Sequence, residues 1–293
     1  MLLYLVRITS IVIIALAYML FDLFNRRNVP TIFVYSTLAY GAVLTILYLN
    51  AKTIAISASI SMVVLGLGYI VYRIGQLGAA DVVEFAAISL MLPMQSSTLI
   101  ATYAQQFSMP FILSVGINAG IVALALVPIY YIPKAMNRLK KPITSLVTKG
   151  NLVSATLLAI AYIVFIYFAT FVITLNYIAI IILAVMLASS FLVMLFSIPI
   201  TYSMTREVDA RQMEDGDIIA INLMDEKKVM SISKKVKGFG RLVTPDMLRQ
   251  LKGNGIKDRM PVYKEAMPFA LPIFIAVILT LLLGNLIFVA LGI

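Results

Sequence analysis

Two aspartates, Asp22 and Asp81, lie at the edges of long apolar segments whose only other acidic residue is Glu84. An ionisable group at membrane depth is costly unless it faces a cavity or a partner, so these residues are candidates for a functional site. Two carboxyl groups held together can share a proton and activate a water molecule, as in aspartic proteases. The chain has no His and no Cys, which excludes Ser-His and Cys-His catalysis and thiolate metal sites. A carboxylate mechanism remains, with a Ser-Lys pair as a less favourable alternative, and no metal or cofactor is expected.

Membrane helices must position these carboxyl groups. The chain has 293 residues, 62% of them hydrophobic, and a mean hydropathy of +1.01, which is not the composition of a soluble globular protein. A helix crosses a bilayer with about 20 apolar residues and satisfies its own backbone in lipid. The apolar runs therefore predict an all-α membrane protein, a multipass bundle of about eight helices at residues 2–24, 31–49, 53–72, 80–98, 109–132, 152–175, 177–201 and 268–292.

The positions of Lys and Arg predict how these helices are oriented. Of the 23 basic residues, all except Arg7 and Lys52 fall in alternating connecting segments, which the positive-inside rule assigns to the cytoplasm. The N-terminus is then outside, and Asp22 and Asp81 meet the same cytoplasmic border. The net charge of +10 is accounted for by this topology and by contact with membrane lipids, so nucleic acid is not an expected partner.

The charge distribution also predicts how the chain is divided. Residues 1–133 form the expected catalytic membrane core, and residues 134–201 a basic cytoplasmic loop with two further helices. Residues 202–267 form a small cytoplasmic α+β module, and residues 268–293 the last membrane helix. Within the module we expect strands at 218–224 and 229–236, and a short helix that starts at Thr244 and Pro245 and ends near Leu251.

The surroundings of the second aspartate consist of small residues, in the sequence Gly78-Ala79-Ala80-Asp81. Small side chains ahead of a helix allow another backbone to approach and leave room for a peptide beside the acid. We therefore regard Gly78 and Ala80 as candidate substrate-binding positions.

The surroundings of the first aspartate complete a recognisable pattern. Asp22 is followed by the basic residue Arg27 and by Val29-Pro30. Together with Gly78-Ala79-Ala80-Asp81, this resembles the type IV prepilin peptidases, which are GxGD intramembrane aspartyl proteases, and most closely their archaeal preflagellin peptidases. The resemblance is specific over residues 10–95; the family usually has Asn where this chain has Thr31.

This resemblance implies a peptidase that cuts precursors of archaellins and type IV pilin-like subunits, which carry class III signal peptides. Cleavage would fall at the cytoplasmic membrane face, between a short basic leader and the hydrophobic segment. Bacterial members commonly carry a four-cysteine zinc region and methyltransferase activity, whereas a chain without Cys is similar to the archaeal peptidase-only pattern.

Helix electrostatics suggest a role for each acid. Asp81 begins a helix, where the dipole favours an anion by about 0.3–1 kcal/mol, and Asp22 ends one, where the sign is reversed. Asp81 is then the expected ionised base and Asp22 the protonated partner. Glu84 shares a helix face with Asp81 and is a candidate for tuning the pair or for binding a basic leader. Arg27 is a topology determinant and a candidate for leader recognition.

Three other functions compete with this one. Presenilin-like or signal-peptide-peptidase-like proteases use the same pair of aspartates, and Ala270-Leu271-Pro272 resembles their Pro-Ala-Leu element, although their aspartates lie on consecutive helices. A transporter could use Asp22, Asp81 and Glu84 as a proton or cation path, but segments 31–72 provide no acid to continue it. A structural membrane subunit would tolerate neutralisation of either aspartate.

Overall fold

A computed structural model describes residues 2–25, 29–48, 50–74, 77–94, 109–139, 147–172, 177–256, 258–265 and 267–291, which are mostly helical. Five of the described helices are long and apolar enough to cross a membrane, so the chain is a multipass membrane protein. These five are α1 (Leu2–Phe24), α3 (Ala51–Arg73), α5 (Phe111–Leu139), α6 (Lys149–Val172) and α7 (Tyr177–Leu195). The remaining helices of the bundle are α2 (Thr31–Tyr48), α4 (Ala79–Met91), α8 (Ser197–Met204), α11 (Ala270–Leu283) and α12 (Leu286–Leu291).

Helix α4 carries Asp81 and is enclosed by its neighbours. Glycines on α2 and α3 let it approach closely, because a Cβ on Gly68 would collide with the Val82 side chain and one on Gly41 would lie 3.2 Å from the Ala87 carbonyl oxygen. The hydroxyl of Thr45 on α2 donates to the Leu90 carbonyl oxygen at 2.7 Å. These contacts fix α4 against α2 and α3.

Helix α4 is shorter than the sequence predicted. It ends at Met91, and Leu92 has left the helical conformation, with φ −139° and ψ 84°. Pro93 accounts for this end, because proline disfavours helical conformation in the residue before it. Residues 95–98 of the predicted helix lie outside the described residues.

Two predicted membrane helices are interrupted. The helix predicted at 177–201 is divided at Phe196 into α7 and α8. The helix predicted at 268–292 is divided into α11 and α12 by Gly284, whose φ of 86° favours glycine, and by Asn285. Conversely, α5 continues to Leu139, beyond the predicted end at residue 132, although it contains Pro128 and Pro133.

The module, residues 205–265, has a hydrophobic core of its own. Its sheet consists of β1 (Arg206–Asp209) and β2 (Arg259–Val262), antiparallel, with Arg206 opposite Val262. Its helices are α9 (Glu226–Lys235) and α10 (Pro245–Gly253). The predicted short helix is confirmed as α10, which is capped by the Thr244 hydroxyl.

Both strands predicted within the module were wrong. Residues 229–236 lie mainly in α9, where Ile232 and Val236 are buried and Asp225 caps the N-terminus. The apolar residues recur at helical spacing, which a short window does not distinguish from alternation. Residues 218–224 form only two isolated bridges, at Ile218 and Ile219, followed by a 3-10 turn.

Adjacent residues, Lys264 and Glu265, join the module to the bundle. The Glu265 carboxylate contacts the Lys134 ammonium of α5 at 2.6 Å. Partial burial alone would raise the pKa of Glu265, but the hydrogen bond and charge of Lys134, with the charge of Arg138, hold it below its usual range. Lys264 faces the module and pairs with Asp217 at 2.6 Å. This junction therefore ties α5 to the module through charge.

The break between α11 and α12 is held by Asn118 of α5. Its side-chain amide donates to the Thr280 hydroxyl at 2.8 Å and to the Gly284 carbonyl oxygen at 2.9 Å. Its carbonyl oxygen accepts from the Leu286 backbone N–H at 3.0 Å. All four residues are buried in the bundle, so the protein shields these bonds from solvent.

We predict that Asn118→Leu lowers the free energy of unfolding by about 2–4 kcal/mol, because buried backbone groups lose their partners. Thr280→Val removes one of the three bonds and should cost less than half as much. Reversible unfolding in mixed micelles measures both. Equal losses in the two variants would contradict this account of the break.

Candidate active site

Asp81 lies in the first turn of α4. Its Oδ2 accepts a hydrogen bond from the backbone N–H of Gly78 at 3.2 Å, so the side chain reaches back to the residue that caps the helix. This is half of a capping box, and it uses the free donors of a helix N-terminus to orient a carboxylate. This hydrogen bond orients the Asp81 side chain, which remains partly exposed to solvent.

Asp22 lies in the last turn of α1 and is 9% exposed. Its Oδ2 accepts a hydrogen bond from the backbone N–H of Ala270, the first residue of α11, at 3.2 Å. Asp22 therefore also sits at a helix N-terminus, that of α11. The N-terminus of α11 therefore opposes the effect of the α1 C-terminus at Asp22, which reduces the expected difference between the two acids.

The two aspartates line one cavity of about 540 Å³, which we call the dyad cavity. Their carboxyl groups are close enough for their charges to interact. Besides Asp22 and residues 77–81, the wall includes Tyr35 of α2 and Tyr72 of α3. The structure thus brings together the two acids that the sequence placed on one membrane border.

The other predicted site residues are divided between the cavity and its surroundings. Gly78 and Ala80 line the dyad cavity beside Asp81. Arg27 lies outside the described residues. Glu84 is completely buried and is not part of the cavity wall, so its position does not favour direct contact with a leader.

Glu84 nevertheless belongs to the same group of acids, since its charge interacts with those of Asp81 and Asp22. Neither carboxyl oxygen of Glu84 has a hydrogen-bond partner among the described residues. A carboxylate in such a place would carry a large desolvation cost. We therefore expect Glu84 to be a neutral acid that packs behind the pair.

A tyrosine and a threonine near the acids were not predicted. Tyr18 is completely buried one turn before Asp22, and its hydroxyl lies 2.9 Å from the Thr37 hydroxyl of α2. Because Thr37 itself donates to the Val34 carbonyl oxygen, Tyr18 must donate to Thr37. Both residues occur inside apolar runs, where their side chains give no signal of this pairing.

The remaining wall comes from distant parts of the chain. Gly216, Ile218 and Leu242 of the module line the dyad cavity, as does the segment Met267-Pro268-Phe269 that leads into α11. In the sequence, a looser likeness to the prepilin peptidases extends over both parts, from Gly216 onward and then at Met267-Pro268-Phe269. The module therefore contributes part of the wall of the dyad cavity.

The arrangement can support water activation by two carboxyl groups. A pair that shares one proton provides a carboxylate to deprotonate water and an acid to polarise a carbonyl group. Within the described ranges, no group of three or more Asp, Glu, His or Cys side chains is arranged to hold a metal ion.

Comparisons of the chain with protein-family models, with curated proteins and with solved structures gave no match.

Gly78 leaves space for the carboxyl group that it binds. A Cβ at this position would lie 3.0 Å from Asp81 Oδ2, which is closer than ordinary van der Waals contact. We predict that Gly78→Ala displaces the Asp81 carboxyl group and lowers the rate of the peptide hydrolysis that we propose below about tenfold, a loss of about 1.4 kcal/mol. Because an N-cap position favours Gly over Ala, the free energy of unfolding should also fall, by about 0.5–1 kcal/mol.

Gly150→Ala is the matched control, because a Cβ there meets no described atom within 4 Å. It should leave the rate unchanged. Full activity of Gly78→Ala would show that this glycine does not position Asp81.

The neutral state of Glu84 can be tested by the pH dependence of the same reaction. We predict that Glu84→Gln retains the wild-type pH profile, because an amide replaces a neutral acid of similar shape without changing the charge near Asp81. A displaced acid limb would instead mean that Glu84 carries a charge.

Glu84→Ala should lower the unfolding temperature, because it leaves a cavity in packed surroundings.

Proposed function

We propose that the chain is a membrane aspartic endopeptidase of the prepilin and preflagellin peptidase type. The observation that carries this proposal is the presence of Asp22 and Asp81 on one cavity, each oriented by a backbone N–H. Because the chain has no His and no Cys, the carboxyl groups are its most favourable catalytic groups for hydrolysis, with a Ser-Lys pair as the less favourable alternative.

The proposed topology has about eight membrane helices, the N-terminus outside, and the site at the cytoplasmic face of the cell membrane. Support comes from the basic residues, which concentrate in alternating segments and in the module. The module lines the dyad cavity through Gly216 and Ile218, so the polar part of the chain and the acids occupy the same end of the bundle.

In the proposed reaction, one carboxylate of the pair removes a proton from water while the water oxygen attacks the scissile carbonyl carbon. The other, protonated carboxyl group donates to the carbonyl oxygen and stabilises the tetrahedral intermediate. The first carboxyl group, which now holds the proton from water, gives it to the leaving amine nitrogen as the C–N bond breaks, and the second carboxylate takes a proton back from a hydroxyl of the tetrahedral intermediate as the new carboxyl group forms. Because two carboxyl groups that share one proton are coupled, we assign the shared proton to neither.

The proposed substrates are archaellin and type IV pilin-like precursors with class III signal peptides. The small residues Gly78 and Ala80 leave an extended backbone room beside Asp81. Cleavage at the membrane border would separate the basic leader from the apolar segment. Membrane lipids complete the list of proposed partners, and no nucleic acid and no cofactor is proposed.

A presenilin-like or signal-peptide-peptidase-like protease is a second candidate. One observation favours it: the Ala270-Leu271-Pro272 segment, which resembles the Pro-Ala-Leu element, contacts Asp22 through the Ala270 N–H. Against it, Asp22 and Asp81 lie on α1 and α4, with α2 and α3 between them. A substrate without a basic leader, cut within its apolar segment, would favour this second candidate.

Cleavage of a model precursor tests the proposal. The precursor has a short basic leader, a junction, and an apolar helix of about 20 residues. We expect the unmodified protein in liposomes to cut at the junction, and Asp22→Asn and Asp81→Asn each to lower the rate about 100-fold or more, since each removes one acid-base group.

Asp258→Asn, an exposed aspartate of the module, is the control and should retain the wild-type rate. Circular dichroism and the elution volume in detergent establish that the variants are folded. Activity that persists in either dyad variant would overturn the mechanism, and a failure of the unmodified protein to cut any leader-bearing precursor would overturn the proposed substrate.

A further inference from the structure

A second cavity meets the dyad cavity at Asp22. It has a volume of about 530 Å³, and we call it the lateral groove. Asp22, Met267 and Pro268 line both cavities, so the end of α1 and the segment before α11 form the boundary between them. A chain bound across Asp22 would therefore place one part in each cavity.

The lateral groove is apolar along the membrane helices. Its wall includes Leu23 of α1, Leu126, Ile129 and Tyr130 of α5, and Leu271 of α11. Ile129 is 69% exposed and Tyr130 is 46% exposed, in a helix long and apolar enough to cross a membrane. The groove is thus open towards the side of the bundle that lipid would occupy.

The basic residue of the lateral groove is not available to bind an anion. Lys264 lines it, but the ammonium group is 2.6 Å from Asp217 and 3.2 Å from Glu214 of the module. These ion pairs compensate its charge. A lipid phosphate or a carboxylate would have to compete with both acids, so the groove favours an apolar occupant.

The acids are distributed unequally between the two cavities. Asp22 and Asp81 both line the dyad cavity, whereas the lateral groove shares only Asp22 and also contains Lys264. A basic peptide is therefore drawn towards the dyad cavity, and an apolar peptide is more favourable in the groove.

We propose that the lateral groove binds the apolar segment that follows the scissile bond, which enters sideways from the bilayer between α1 and α5. The leader then lies in the dyad cavity, and the scissile bond lies beside the Asp22 carboxyl group, at the boundary between the two cavities. This inference rests on the proposed function and adds to it a direction of binding and a surface for the membrane-embedded part of the substrate.

Tryptophan substitutions that fill the groove test this assignment. Ile129→Trp and Leu126→Trp are assayed with two precursors that share one leader and one junction. The long precursor continues into the apolar helix, and the short one ends in a few polar residues. We expect a KM at least tenfold higher for the long precursor, with kcat retained, and unchanged kinetics for the short precursor.

Ile160→Trp is the control. Ile160 is 52% exposed on α6, away from the groove, and the substitution adds the same bulk to another membrane-exposed surface. It should change neither KM. An unchanged KM for the long precursor in both groove variants would overturn the assignment. So would an equal loss with both precursors, since the effect would not depend on the apolar segment.

Photo-crosslinking gives a second measurement that does not require catalysis or the groove variants. A long precursor with a photoreactive group in the first turn of its apolar segment is bound to Asp81→Asn. We expect crosslinks to α5 around residues 126–130, and crosslinks confined to α2 and α3 would overturn the assignment. Failure of the proposed function itself would be visible separately, as the absence of cleavage of both precursors by the unmodified protein.

Discussion

The hydrogen bond from the Ala270 N–H to Asp22 Oδ2 joins the first helix of the chain, α1, to α11, which lies near the end of the sequence. It places the last turn of α1 against the first turn of α11, although 248 residues separate them. The bond satisfies a donor that a helix N-terminus leaves free, and it gives a carboxyl group in an apolar bundle a defined orientation. Met267 and Pro268 lie just before Ala270, so the same bond positions the boundary between the two cavities.

The second acid depends on a different constraint, the close packing of a short helix. Helix α4 has 13 residues, or about 20 Å of length, which is less than a bilayer core. Gly41 and Gly68 admit it between α2 and α3, and Thr45 bonds to its C-terminal carbonyl. The N-terminal turn with Asp81 lies in the wall of the dyad cavity, which residues of the module also line.

Sequence reasoning reached what depends on local composition. The apolar runs predicted a multipass bundle, and five of the described helices are long and apolar enough to cross a membrane. The two aspartates that the sequence singled out line one cavity. Contacts between residues far apart in the sequence could not be predicted in this way. The contact of Asp22 with Ala270 and the bond between Tyr18 and Thr37 have no local pattern, and the helical spacing in α9 was too short to exclude a strand.

The hydrogen bond between Ala270 and Asp22, which the sequence did not predict, changes the electrostatics of the two aspartates. From the sequence, Asp81 faced a favourable helix dipole and Asp22 an unfavourable one, which made the two acids unequal. In the structure each accepts a backbone N–H at a helix N-terminus, at the same distance of 3.2 Å. The α11 N-terminus therefore offsets the C-terminal dipole of α1 at Asp22, so helix dipoles favour Asp81 as the base less strongly than the sequence indicates. In the proposed reaction the substrate adds to this difference, and the two cavities, one lined by both aspartates and the other mainly apolar, provide a physical means for it to do so.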